Sequence, residues 1–451
     1  MSLQPYLNTL KALSNRLVAL QRPIRILDAI KWGPEIEHAF KAKGGQALPR
    51  VDADYYQRQP LSFDPARLDQ ALLELDKDIR RQLGHGDAMG RILRATVAQY
   101  QLVVQLLRHR GRPEFGDYSR QLYGSASDRI RGDRKTLRNL GERLCDIFSL
   151  PAVAHLNRPY SNDIDAESAV LMLRQRMERY FGPNRVRVTI SDDIVSDAAA
   201  GGDGIKVNRR AFFSELDIQV LEVHEGWVHI GTTLNGREQP WATWLSVGSP
   251  RITAIQEGMA VLMETLTFSS FPQRARRVSD RVVAVDLAEQ GADFCEVYRY
   301  FIDKGISEHD SYRVTQRVFR GGQVAGDQGS VFTKDISYVR GFVENVNFIR
   351  SAIQSGVPEI IPMLFVGKVT LDDLPLLYER YLEGVISAPR YIPPMFRDMN
   401  GLYVWFGFSS SLSLMNIARV QRHFNQLFSQ LPQTEPLYAS AQPDRRDTEL
   451  D

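Results

Sequence analysis

The sequence predicts an α+β fold, and three features predict it. Apolar residues recur at helical spacing from residue 1 to about 180, as at Leu68, Leu72 and Leu75 and again at Val97, Val103, Val104, Leu106 and Leu107. The period then changes to two, because Arg185-Val186-Arg187-Val188-Thr189-Ile190 alternates polar with apolar residues, the pattern of a half-buried strand. Helical spacing returns near residue 214 and continues to Gln430. A chain of 451 residues with 43% hydrophobic and 24% charged content is long enough for two or three domains, or for one large enzyme domain with a helical extension.

The elements follow in order. Met1 to Gln21 sets Lys11 and Arg16 among helically spaced leucines and has no unbroken apolar stretch, so it reads as a helix and not as a signal peptide. Glycine and proline punctuate the helical region at Trp32-Gly33-Pro34, Gly111-Arg112-Pro113 and Tyr180-Phe181-Gly182-Pro183. The last of these divides a helical N-terminal region, 1–180, from a second unit, 181–430. Gly201-Gly202-Asp203-Gly204 turns into a further strand at Ile205-Lys206-Val207. A long helix starts at Ser214, an N-cap with Asp217 in its first turn, and stops at Asn235-Gly236. Another starts at Ser249-Pro250 and runs to about Phe268. The glycine-rich stretch Gly321 to Gly329 lacks the Lys-Ser/Thr ending of a phosphate loop, and is expected to be a mobile loop facing substrate. The tail, 431–451, is polar and proline-bearing, and is expected to be disordered.

Composition removes several function classes. A formal charge of +2 lacks the basic field of a nucleic-acid binder. Two cysteines, Cys145 and Cys295, build neither a disulfide framework nor a thiolate metal site. The best membrane candidate, Leu402 to Ile417, holds four serines and is too short to span. A reduced, cytoplasmic, soluble protein with no membrane partner is expected.

Chemistry concentrates in Glu222-Val223-His224-Glu225-Gly226-Trp227-Val228-His229, which holds two of the eight histidines around a glutamate. Imidazole is the commonest protein ligand for zinc, and catalytic zinc sites take three protein ligands and keep one position open. The familiar peptidase pattern spaces its histidines by four, on one helix face. Here the spacing is five, which on a regular α-helix turns the second side chain roughly 140° from the first. A π-type distortion restores convergence, and Gly226 makes it cheap. The alternative is a pair of unrelated histidines on an amphipathic helix. Against it stands Gln256-Glu257-Gly258-Met259-Ala260 on the next helix, where Glu257 lies among Ile252, Ile255, Val261 and Leu262. A carboxylate in such surroundings requires a partner such as a metal. His224, His229 and Glu257 are therefore the candidate zinc ligands, and Glu225 the candidate general base.

The same segments carry a resemblance. His224-Glu225-x-x-x-His229, the Gln256 to Ala260 box, Phe319-Arg320-Gly321-Gly322, Thr333-Lys334-Asp335 and Tyr338-x-Arg340-Gly341 resemble the bacterial flavohemoglobin expression-modulating QEGLA motif proteins. Those are relatives of the microtubule-associated tyrosine carboxypeptidase of animals. Arg22-Pro23-Ile24-Arg25-Ile26-Leu27 and Leu122-Tyr123-Gly124 extend the likeness, which reaches to about residue 430. Met259 replaces the leucine of the name-giving box, an apolar swap of similar volume. The resemblance implies a zincin-like core and a zinc metallopeptidase that removes C-terminal, tyrosine-like residues from a peptide or protein.

Such a reaction needs an oxyanion donor and a cation for the substrate carboxylate. Arg237, Arg317, Arg320, Lys334 and Arg340 are the candidate substrate-binding residues, and Tyr338 joins Glu225 as a candidate catalytic group. Trp241 and Trp244 offer either the floor of an aromatic pocket or packing anchors. His155, His309 and His423 have no ligand partner at useful spacing and are taken as structural. Two other readings stay open: a zinc endopeptidase or aminopeptidase, and a non-catalytic regulatory protein with an idle metal site. Glu225 weighs against the second, because a structural site has no use for a base that is not a ligand. The oligomeric state stays open.

Overall fold

The computed structural model describes residues 3–150, 162–192, 194, 196–202, 204–326 and 329–429. His155 and the tail, 431–451, lie outside the described residues. Helix formation in the first part follows local rules. Pro65–Leu83 begins with proline behind Asp64, whose carboxylate accepts from the Ala66 and Arg67 amides, and it buries Leu68, Leu72, Leu75 and Ile79. Ala88–Arg108 is capped by Asp87 and packs its Val97, Val103 and Val104 face beside that helix.

After the helix Ala166–Phe181 the chain forms a small mixed sheet of β1 (Arg187–Ser191), β2 (Ala198–Gly201) and β3 (Gly204–Asn208), ordered β1-β3-β2. β1 runs parallel to β3, with Val188 opposite Ile205, and β2 runs antiparallel, with Ala200 opposite Ile205. One strand pairing escaped the sequence reading. β2 is three alanines and a glycine, with no β-branched or aromatic signal, and it exists by hydrogen bonding to β3. A mostly helical chain with one small sheet is an α+β fold.

Three apolar clusters hold it together. The largest joins N-terminal residues such as Leu10, Leu72 and Val103 to Val223, Val228, Met259 and Phe365. A second gathers Phe40, Phe294, Tyr312 and Phe319. The third packs Leu173, Met177 and Phe181 over the sheet residues Val188, Ile205 and Val207, and against Ile230. The helices Thr253–Leu266 and Ser337–Gln354 cross with their backbones in contact, because Gly258 and Gly341 face each other there. Asn345 bridges the crossing by donating to the Ile255 carbonyl, 3.0 Å.

The glycine-rich stretch differs from expectation. Gly321 and Gly322 are buried; the Gly321 amide donates to the Tyr56 hydroxyl, and a β-carbon on Gly322 would sit 2.0 Å from the Ser330 carbonyl oxygen. The described part of this stretch is packed core, so its glycines serve close approach and not mobility. Among the described residues no helix is long and apolar enough to cross a membrane, and both cysteines are free.

Candidate metal centre

Ser214 caps the helix Glu215–Leu221 in a reciprocal box with Asp217, and the helix then widens its hydrogen-bond spacing without breaking. Glu222–Ile230 is a π-helix, and Gly231–Arg237 is α-helical again. The expected distortion is thus present and spans the whole motif. Its i→i+5 hydrogen bonding sets residues five apart on one face, so His224 and His229 converge. Their rings lie 5.0 Å apart at 79°. Gly226 also answers to packing, since a side chain there would displace the buried Met177.

Glu257 comes to the same point from the helix Thr253–Leu266. Its Oε2 is 3.7 Å from His224 Nε2 and 3.7 Å from His229 Nε2, and one donor atom from each of the three lies within 4.8 Å of the others. Ligand atoms on bonds of about 2.0–2.2 Å at tetrahedral angles stand roughly 3.3–3.5 Å apart. The three donors therefore fit a single ion. The surrounding charges favour one as well. Burial opposes the His224 imidazolium, but the Glu257 and Glu264 carboxylates beside it outweigh burial and raise its pKa. Burial also opposes the Glu257 carboxylate, yet Lys334 and the two histidines hold it well below its ordinary range. Carboxylates thus face both nitrogens of the His224 ring, Glu264 at Nδ1 and Glu257 at Nε2.

Glu264 fixes the imidazole. Two turns after Glu257 on the same helix face, and 1% exposed, it meets His224 Nδ1 at 2.6 Å. Burial raises the Glu264 carboxyl, but Arg274, donating from Nε and Nη2 at 2.6 Å each, holds it at about 2. An ionised carboxylate only accepts, so Nδ1 carries a proton, and in the neutral ring Nε2 is then the nitrogen with a lone pair to offer. Glu225, on the same π-helix, is not one of the three converging donors; its Oε2 accepts from the Ala200 amide of β2 at 2.8 Å.

The family model for microtubule-associated tyrosine carboxypeptidase matches residues 38–414. The chain belongs to that family. No curated protein matches it. Membership in a tyrosine carboxypeptidase family implies a hydrolase of carboxypeptidase type, and the matched stretch contains every residue of the centre just described.

The remaining candidate residues of this carboxypeptidase-family chain divide sharply. Lys334 Nζ donates to Glu257 Oε1 at 2.9 Å. Arg317 is held bidentate by the buried Asp335 at 2.5 and 2.8 Å. Tyr338 lies between cations, its ring 4.2 Å from the Arg281 guanidinium and 5.6 Å from Lys334 Nζ. Arg320 is buried, its guanidinium 5.7 Å from the Phe332 ring, yet its Nε has no hydrogen-bond partner among the described residues. Burial and the neighbouring Arg317 pull its pKa down to about 10. Arg340 is not part of the group; it donates to Glu344 and to the Tyr123 carbonyl. Arg237 is exposed at the helix end, beside Gly202 in the β2–β3 turn. Trp244 is a buried packing residue, and Trp241 lies under Lys11.

Sequence reasoning missed Glu264, Arg274, Arg281 and Lys368. Glu264 was within reach, since a glutamate seven residues after Glu257 shares its helix face. Lys368 had no local signal. Its Nζ donates to the His229 carbonyl (3.3 Å) and to Gln256 Oε1 (3.2 Å), and burial lowers its pKa to about 8 against the pull of Glu257 and Glu225.

Proposed function

We propose that the protein is a zinc metallopeptidase with a zincin-like core that removes C-terminal, tyrosine-like residues from peptides or proteins. The observation that carries this reading is the convergence of His224, His229 and Glu257 on one point, with the non-ligand Glu225 on the same π-helix, in a member of a carboxypeptidase family. His224 Nε2, His229 Nε2 and a Glu257 oxygen would hold the ion. When bound, zinc supplies Lewis-acid polarisation of a carbonyl and acidification of water. Glu225 takes the proton and returns it to the leaving amine, its carboxylate aimed by the Ala200 amide. Tyr338 supplies a hydroxyl to the developing oxyanion.

The substrate carboxylate falls to the guanidinium groups that no acid already holds. Asp335 holds Arg317 and Glu257 holds Lys334, so neither is the main anchor. Arg320 Nε is buried without a hydrogen-bond partner among the described residues, and Arg281 stacks on Tyr338 without an ion pair to an acid among them. We assign these two the carboxylate.

Two results test the reading. Purified protein should carry one zinc per chain, and Glu264→Gln should weaken zinc binding by about 10- to 100-fold in a chelator competition, because the His224 ring loses its orienting anion. Protein that neither holds zinc nor takes it up on addition removes the proposal. Mass spectrometry of peptides with free and amidated C-termini tests the direction of cleavage. Single C-terminal residues should be released, tyrosine or phenylalanine first, and amidation should cost at least about tenfold in kcat/KM, the worth of one charged hydrogen bond. Arg320→Met should lose most of that discrimination. Equal cutting of amidated peptides, or internal cuts, replaces the carboxypeptidase reading with an endopeptidase.

A further inference from the structure

The C-terminal arm of the chain lies apart from the metal centre and leaves an unusual surface. The helix Met399–Leu412 buries Leu402, Phe406 and Ser410, which share one face at four-residue spacing. Its other faces remain apolar: Trp405 is 50% exposed and Phe408 70%, with Tyr403, Val404 and Leu412 exposed around them. The following helix, Ile417–Phe428, is strongly two-sided. Ile417 (73% exposed), Val420, Phe424 and Phe428 share one face, while Arg419, Arg422 and Gln426 share the other. Leu414 and Met415, in the link between the helices, are exposed as well. A water-facing protein surface rarely gathers so many large apolar side chains without an occupant.

Charge says what the occupant is. From Met399 to Ser429 there is not one Asp or Glu, although 54 of the 451 residues are acidic. The charged residues of the arm are Arg419 and Arg422. At its root, Arg350 donates to the hydroxyls of Ser410 and Ser413 and has no carboxylate partner among the described residues. It opens on a polar cleft of about 500 Å³ lined also by Arg131, Gln354 and Ser411. A second copy of this surface would set arginines against arginines with no acid to pair them. An anionic lipid surface answers every feature: apolar side chains enter the acyl boundary, Trp405 and Tyr403 suit the headgroup level, and the arginines meet phosphates.

We propose that the arm Met399–Phe428 docks the protein on anionic membranes, lying in the interface without spanning it. The first helix lies within the family match and the second beyond residue 414, where the match ends; no residue of the metal centre enters the argument, which stands independently of the peptidase reading.

Co-sedimentation of the full-length protein with vesicles tests it. Phosphatidylcholine vesicles containing roughly one-third phosphatidylglycerol should bind the protein about tenfold or more tightly than phosphatidylcholine alone, and high salt should reduce the difference. Phe408→Asp with Leu412→Asp should abolish binding at any lipid composition, and Arg419→Glu with Arg422→Glu should abolish the preference for anionic vesicles. These side chains are exposed, so circular dichroism melts of both variants should match the parent. Vesicle binding that survives the aspartate pair overturns the proposal. So does a concentration-dependent dimer, seen by sedimentation equilibrium, that the aspartate pair dissolves while the parent ignores both kinds of vesicle; the face then belongs to a second copy. Failure to bind either vesicle by a monomeric parent overturns it too.

Discussion

Glu225→Gln should keep its zinc and its fold and lose about 10²- to 10⁴-fold in kcat, the usual contribution of a positioned general base. The expectation rests on where this carboxylate is. It is one residue from a ligand but directs Oε2 at the Ala200 amide, 2.8 Å away. An amide of the same shape still offers a carbonyl oxygen to that N–H, so the π-helix and β2 stay joined. What the amide lacks is basicity. Zinc content, the melting curve and single-turnover hydrolysis of a free C-terminal tyrosine peptide are the three measurements. Unchanged zinc with the large rate loss separates Glu225 from His224, His229 and Glu257, whose alanine variants should lose metal and activity together. Glu225→Gln activity within tenfold of the parent would show that another group takes the proton. Loss of zinc would show that Glu225 belongs to the coordination shell.

The convergence of His224 and His229 was legible because its information is local. A five-residue spacing that a regular helix cannot use, with a glycine inside it, demands the π-helix seen at Glu222–Ile230. Glu257 was legible as a carboxylate among apolar neighbours, and Glu264 would have been by the same helical periodicity. The substrate side was not legible, because the availability of each arginine depends on a distant acid. Arg317 and Arg320 are one turn apart and identical in chemistry, yet Asp335 holds the first and leaves the second. Lys368 is brought to the centre across 139 residues of chain by the packing of the segment around it against Leu245. Glycines misled for a related reason. In sequence, Gly321 and Gly322 look like freedom to move, whereas in the fold they permit contact with Phe115 and the Ser330 backbone.

Gly258→Ala should be, with Gly341→Ala, among the most damaging single-methyl changes at the described glycines. Judged by the helix alone it ought to help, since alanine is favoured over glycine inside Thr253–Leu266 by about 1 kcal/mol. The crossing reverses the sign. A β-carbon on Gly258 would lie 1.8 Å from the Gly341 carbonyl carbon and 2.1 Å from the Phe342 amide nitrogen. Gly341 is equally confined, with the Ala254 carbonyl oxygen 1.6 Å from where its own β-carbon would stand. These are backbone atoms of two packed helices, so no rotamer change relieves the clash and the helices must separate. Overpacking of this kind exceeds the ordinary 1–3 kcal/mol, and a fall in melting temperature of more than about 5 °C is expected. The damage should reach the metal first. Glu257 is the residue before Gly258, and Lys334, its partner, lies just ahead of the helix that contains Gly341. Zinc affinity should therefore fall even under conditions where the fold survives. Gly401→Ala is the matched control: that glycine also lies inside a helix, but nothing stands within 4 Å of its added carbon, so the variant should melt at or slightly above the parent. Equal melting curves and equal zinc content for Gly258→Ala and the parent would mean that the two helices do not cross at these glycines, and the placement of Glu257 beside the histidines would lose its main support.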